Sequence, residues 1–270
     1  MKHSYKKRVA VVTGAAGGIG KELCYGITKR EGTVLALDRD EEGLKVLKEG
    51  AGTSKEKIFT YKLDITSYED VKKTYEKIKE EHRTIDFLFN NAGAVHRSSF
   101  LKTDVSVFHR VMNVNLWGSV YMSQIFLPDL IQTKGAIAIT SSVAGFAPLY
   151  GRSFYCASKF ALHGAFESIR SELKDYGVDV CIVSPGFTKT GFEKAALGTD
   201  GNLLKRERTS VGKYDTPENV AGQILSAVEK GKKFTVLTSV GKLSLFLRKI
   251  FPGLYDIMMY RSLHSELENE

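Results

Sequence analysis

Short, unbroken apolar runs alternate along this chain with longer stretches of helical period. The runs lie at 9–13, 33–38, 58–63, 87–90, 136–140, 180–184 and 234–237. Between them, 18–30, 41–49, 67–81, 105–131, 155–176 and 217–230 carry apolar residues at three- and four-residue spacing. Runs that are apolar throughout, not alternately, belong to strands buried on both faces. Strands that alternate with helices imply a parallel sheet covered by helices on each side. Right-handed crossovers then give an α/β, doubly wound nucleotide-binding fold of the Rossmann type. No repeat or linker divides residues 1–240, which we read as a single domain with a C-terminal extension over 241–270.

The first run leads straight into Gly14-Ala15-Ala16-Gly17-Gly18-Ile19-Gly20 and then a helical stretch. Glycines there let backbone amides approach a pyrophosphate, and the helix start adds a partial positive charge for it. The spacing Thr-Gly-x-x-x-Gly-x-Gly differs from the commoner dinucleotide fingerprint, but its place after a buried strand fits the same use. The second run ends at Asp38, about 20 residues further on, where a carboxylate can hold both hydroxyls of an adenosine ribose. A 2′-phosphate ~4 Å from that carboxylate would cost on the order of 4 kcal/mol at an effective dielectric of ~20. Arg39 offsets part of this, so NAD is expected over NADP, with NADP still possible. The structural alternative for Asp38 is a helix N-cap.

Composition narrows the class. Cys24, Cys156 and Cys181 are far apart and odd in number, which fits a reducing compartment and neither a disulfide framework nor a zinc site. We expect no metal. The apolar run after the basic N-terminus is too short for a secretion signal, so a cytoplasmic location is expected. The net charge of +8 suits a lysine-rich surface and an anionic cofactor; with no nucleic-acid motif, no nucleic acid is expected as a partner.

Further polar clusters follow later strands: Asn90-Asn91-Ala92-Gly93, Ser141-Ser142, Tyr155-Cys156-Ala157-Ser158-Lys159 and Pro185-Gly186-Phe187-Thr188-Lys189-Thr190. With the glycine loop, and in this order, they resemble the classical short-chain dehydrogenase/reductase family over about residues 6–230. The resemblance implies oxidation or reduction at a CH–OH centre. By it, Gly14, Gly18, Ile19, Gly20, Asp38, Asp64, Ile65, Asn91, Ala92 and Gly93 hold the adenosine and pyrophosphate side of the cofactor, with Asn90 supporting the sheet beside them. Pro185, Gly186, Thr188 and Thr190 hold the nicotinamide side. Asn115, Ser142, Tyr155 and Lys159 form the catalytic set, with Asn115 holding a relay water. Ser142 lies 13 residues before Tyr155, the spacing of the family it resembles, and is therefore preferred to Ser141. Cys156 is read as packing.

The residue types suit that chemistry. Tyrosine, with a reference pKa near 10, is a poor base at neutral pH. Lys159 lies one helical turn beyond Tyr155. An ammonium ~4 Å from a phenolate is worth on the order of 4 kcal/mol, roughly three pKa units, enough to bring the phenol near 7. Ser142 would donate to the substrate oxygen, and the cofactor would carry the hydride. A catalytically silent dinucleotide-binding redox sensor is the rival reading.

Residues 189–214, with Gly191, Gly198, Gly201 and Gly212, are expected to form a lid over the substrate. In the extension, Leu243, Phe246, Leu247 and Ile250 share one helical face, and Leu254, Ile257 and Met258 make another. Arg248, Lys249 and the Pro252-Gly253 break argue against a spanning helix. The segment suits a pocket wall, a subunit interface or peripheral contact with a membrane. By analogy with family members that carry such tails, the substrate is bulky and apolar: lipid-, steroid- or retinoid-like. A homodimer or homotetramer is expected.

Overall fold

The computed structural model describes residues 2–204 and 214–267, and only the backbone at 193 and 194. Seven parallel strands form one sheet in the order β3-β2-β1-β4-β5-β6-β7. They are β1 Val9–Thr13, β2 Thr33–Asp38, β3 Ile58–Lys62, β4 Phe87–Asn90, β5 Ala136–Thr140, β6 Asp179–Ser184 and β7 Phe234–Val236. The order reverses between β1 and β4, so their carboxyl ends open the crevice in which doubly wound sheets bind ligands. Successive β1 side chains explain the unbroken apolar runs. Val12 belongs to the core cluster that holds Leu23 and Ile27 of α1 (Gly18–Lys29), Leu44 and Leu47 of α2 (Glu41–Gly50), and Val220 and Ile224 of α7 (Pro217–Glu229). Val11 faces the other way, into the cluster that holds Val71 of α3 (Tyr68–Glu81), Phe126 of α5 (Gly118–Thr133) and Phe166 of α6 (Ser153–Glu172).

The helical stretch expected at 105–131 is interrupted. It divides into α4 (Val105–Met112), one π-helical turn (Asn113–Trp117) and α5. The π-turn adds a residue to the helical repeat and carries Asn115, which is fully buried. Helix α6 starts two residues earlier than its periodic pattern and ends earlier too.

The extension forms two helices, α8 (Ser239–Ile250) and α9 (Pro252–Leu263), divided at Phe251 with Pro252 at the first position of α9. Of the apolar stripes evident in its sequence, only Leu247 packs inward, partly buried against the cluster around Ala147. Leu243, Phe246, Ile250, Leu254, Ile257 and Met258 face outward. Tyr255, Met259 and Leu263 are the buried residues, against Ala147 and the partly buried Val143, Phe146, Leu149 and Tyr150. Among the described residues no helix is long and apolar enough to cross a membrane.

Candidate active site

A cavity of 830 Å³ opens at the carboxyl ends of the strands. Its first wall is the loop between β1 and α1. Gly14 takes φ +64°, and a Cβ there would lie 2.8 Å from Ala92 Cα. Only glycine permits this approach of the two loops. Asn91 fastens it from the other side, donating from Nδ2 to the carbonyls of Thr13 (3.1 Å) and Gly14 (3.3 Å). The N-terminus of α1 has no side-chain cap and no acidic residue in its first turn. Gly17, Gly18 and Ile19 border the cavity, so this positive helix end suits an anion. Gly20 does not line the cavity. It sits beneath the loop, where a Cβ would come 2.0 Å from the Gly14 carbonyl oxygen, so its role is helix–loop packing and not the direct ligand contact expected of it.

Asp38 lies at the far end of that wall. Its carboxylate accepts from the amides of Ala16 and Asp40, each at 3.0 Å. It is not the N-cap of α2: that place belongs to Asp40, which accepts from Gly43. Asp64 and Ile65 also border the cavity. Asp64 Oδ1 accepts from the amide and hydroxyl of Thr66 at 2.9 and 2.8 Å. Ala92, Gly93, Pro185, Gly186, Thr188 and Thr190 complete this side. Thr190 also packs on Gly18, where a Cβ would lie 2.8 Å from its own Cβ.

The polar end gathers Ser142, Tyr155 and Lys159 on the same cavity. Ser142 caps a short 3₁₀ turn, its oxygen accepting from the Ala144 amide at 3.2 Å. That bond leaves the hydroxyl proton for an oxygen in the cavity. Ser141 also borders the cavity but is buried and bonded to His163 Nε2 at 3.0 Å, whereas the Ser142 hydroxyl is tied only to a backbone amide. Lys159 is buried, donates to the Thr140 carbonyl at 2.9 Å, and lies 5.8 Å from the centre of the Tyr155 ring. Burial lowers the lysine from 10.5 to about 8.

Asn115 does not reach the wall. Its Nδ2 donates to the Ala94 carbonyl (2.9 Å) and to Ser158 Oγ (2.7 Å), and its Oδ1 accepts from the Ala94 amide (2.7 Å). Both amide protons are committed, so the side chain has none to donate to a water. Its shape still serves the site: Gly93 lies between Asn115 and Lys159, with a Cβ position 3.3 Å from Asn115 Oδ1 and 3.8 Å from Lys159 Nζ.

Several residues here had no signal in the sequence. Arg97 and Arg152 are buried in the cavity wall. His96 is fully buried, stacks on Phe154, and accepts from the Tyr155 amide through Nδ1 at 3.3 Å. The N-cap of α6 is Arg152, which supplies no side-chain acceptor, so His96 takes over that function. Burial first, and the neighbouring Arg152 second, hold His96 down at about 4. Residues 196–204 fold back against the loop after β4, with Leu197 bonded to Val95 and Arg97. The rest of the expected lid, 205–213 with Gly212, lies outside the described residues.

A model of the short chain dehydrogenase family matches residues 8–200. The chain belongs to the short-chain dehydrogenase/reductase family of oxidoreductases. Dehydrogenase/reductase SDR family member 7B of Xenopus tropicalis is 34% identical over 260 residues, spanning 93% of this chain and 84% of that protein. A Pinus massoniana protein named 11-beta-hydroxysteroid dehydrogenase is 30% identical over 257 residues, 92% of this chain and 72% of that one. Among solved structures, a Burkholderia phymatum short-chain dehydrogenase/reductase in complex with NAD superposes with TM-score 0.83 at 21% identity, over 93% and 96% of the two chains. A Burkholderia cenocepacia short-chain dehydrogenase in complex with NADP gives 0.80 at 24% identity, over 95% and 99%. Both structures share the fold.

Proposed function

We propose that this protein is a nicotinamide-dinucleotide-dependent dehydrogenase or reductase that interconverts an alcohol and a carbonyl compound, with Tyr155 as general acid/base. The observation that carries the reading is the meeting of Ser142, Tyr155 and Lys159 on one cavity whose other wall is an uncapped helix N-terminus behind a glycine loop. That wall fits a dinucleotide: the amides suit the pyrophosphate and Asp38 the adenosine ribose. When bound, such a cofactor supplies the hydride acceptor or donor at carbon. The chain's own groups manage the oxygen. Ser142 donates its free hydroxyl proton to the substrate oxygen and stabilises charge there. In the oxidising direction Tyr155 takes the hydroxyl proton as the C–H hydride leaves; in reduction it returns that proton to the oxygen. The Lys159 ammonium favours the phenolate form of Tyr155.

Asp38 supports NAD over NADP. The apolar tail and the hydroxysteroid dehydrogenase relative support a bulky apolar substrate of steroid, retinoid or lipid type. The outward face of α8 and α9, with Lys242, Lys249 and Arg261 exposed beside its apolar residues, supports peripheral contact with an anionic membrane from the cytoplasmic side. Trp117 and Phe160, both exposed, suit a homodimer or homotetramer.

The experiment is oxidation and reduction of a panel of steroid, retinoid and fatty ketones and alcohols, with each dinucleotide, by wild type and Tyr155→Phe. We expect turnover in wild type and a loss of about 10²-fold or more in the variant. Full activity in the variant overturns the assigned base. Dinucleotide binding with no turnover across the panel favours a silent redox sensor instead.

A further inference from the structure

We infer that the C-terminal segment is a working part of the active site, and that Glu266 is a positioning residue for the catalytic helix. This deepens the proposed function and rests on it for the roles of Tyr155 and the cavity. The approach to α6 runs through residues 147–152, and nearly every residue of it is held from the tail. Tyr255 donates its phenol to the Pro148 carbonyl at 3.1 Å. The Tyr150 ring meets Tyr260 edge-on, 5.6 Å between centres, and lies 6.1 Å from His264. Gly151 takes φ +67°, and a Cβ there would lie 2.8 Å from Leu267 Cδ1. Arg152 closes the set: Nη1 donates to the Tyr150 carbonyl at 2.8 Å and Nη2 to Glu266.

The ion pair is the decisive contact, because both side chains are 4% exposed. A buried guanidinium without its carboxylate is severely destabilised, so Arg152 is bound to follow Glu266. Arg152 is itself a wall residue of the cavity. It is the N-cap residue of α6 and lies three positions before Tyr155. Because α6 has no side-chain cap of its own, its first turn is fixed by outside groups. A carboxylate 114 positions away in sequence therefore sets where the catalytic phenol sits. Displacements of about 1 Å at a reacting group lower rates by about 10²-fold.

The test uses the full chain as wild type, Glu266→Gln, Glu266→Asp and Tyr255→Phe. Amide hydrogen exchange is followed at residues 147–155 and 14–20. NADH binding is titrated, and steady-state rates are measured on the best ketone of the panel above. In Glu266→Gln, exchange at 147–155 should quicken at least tenfold while 14–20 is unchanged. NADH affinity should stay within about twofold. The value of kcat should fall about 10- to 100-fold, more than KM rises. Glu266→Asp should recover most of the loss. Tyr255→Phe, which deletes only the bond to Pro148, should show a smaller effect of the same kind, and it replaces Glu266→Gln should that variant not fold. Unchanged exchange and kcat in Glu266→Gln overturn the inference. So does exchange that rises evenly over the whole fold, or an aspartate variant no better than the glutamine one. Absence of turnover in wild type would instead remove the proposed activity, and the exchange result would still judge the clamp.

Discussion

Replacing Lys159 by methionine should stabilise the cofactor-free protein at neutral pH while removing its activity. Methionine is close to lysine in length, so the cavity left behind is small. The gain comes from the charge. Burial lowers Lys159 from 10.5 to about 8; at 1.36 kcal/mol per pKa unit, the folded chain bears a penalty of about 3 kcal/mol whenever both states are protonated. The variant gives up the bond to Thr140, which offsets about 1–1.5 kcal/mol. A net gain of about 2 kcal/mol remains, or roughly 4–8 °C in Tm for a chain of this size. The sign with pH is fixed by linkage. Between about 8 and 10.5 the unfolded chain holds the lysine proton and the folded chain does not, so wild-type stability rises with pH there relative to the variant. Below pH 8 the whole penalty is present. The assay is urea unfolding of both proteins at pH 7 and pH 9.5. The difference between them isolates Lys159, because every other group titrates in both. The variant should lead at pH 7 and lose that lead by pH 9.5. A variant less stable at pH 7, or a gap that does not move with pH, refutes the reasoning.

His96, held at about 4, should make acid unfolding steeper. From pH 6.5 down to 4 the unfolded chain takes up a proton that the folded chain refuses, a loss of up to about 3 kcal/mol. His96→Phe should show a shallower acid limb in urea titrations, and His96→Asn, which keeps an acceptor for the Tyr155 amide, should retain more kcat than His96→Phe. Asp38→Ala should raise the NADP/NAD ratio of kcat/KM by about tenfold or more and lower stability by about 1 kcal/mol through the lost bond to Ala16; an unchanged ratio removes Asp38 from cofactor choice. Changing Phe246 and Ile257 together to serine should reduce sedimentation with phosphatidylserine vesicles while Tm holds, since both side chains are more than half exposed. Equal sedimentation of wild type and variant rules out that face as the membrane contact.

The sheet was legible because its strands are short, apolar on both faces and punctuated by glycine or polar clusters. β1, β2, β4 and β5 end where their apolar runs end. Those clusters are also the cavity wall, so the glycine loop was readable from its place after a strand, and Ser142, Tyr155 and Lys159 from the family resemblance of the clusters in their order. What escaped lacks local signals. The π-turn around Asn115 contains no glycine or proline to mark it, and its geometry reflects what Asn115 bonds to, which is Ala94 and Ser158. His96 caps a helix that begins 57 residues later, and periodicity cannot report such a partner. The tail misled for a different reason. A helix stripe that is apolar in sequence is normally the buried one, and here the longest stripes face out while tyrosine and methionine pack within.

That inversion changes how the extension has to be probed. Deleting everything after residue 240 is the obvious test of membrane contact, since the exposed stripe goes with it. The same cut strips Tyr255, Met259 and Leu263 from the cluster around Ala147 and leaves Arg152 without Glu266. A truncated chain would therefore lose catalytic geometry and surface contact together, and neither loss could be assigned. The two faces separate cleanly by residue type. Serine at Phe246 and Ile257 alters the outward face of the tail, whereas glutamine at Glu266 alters its ion pair with Arg152. Vesicle binding lost with kcat intact in the first variant, and the reverse in the second, would establish that one short segment carries two independent tasks on opposite sides. A loss of both in either variant would mean that surface contact and the catalytic helix are coupled through α9.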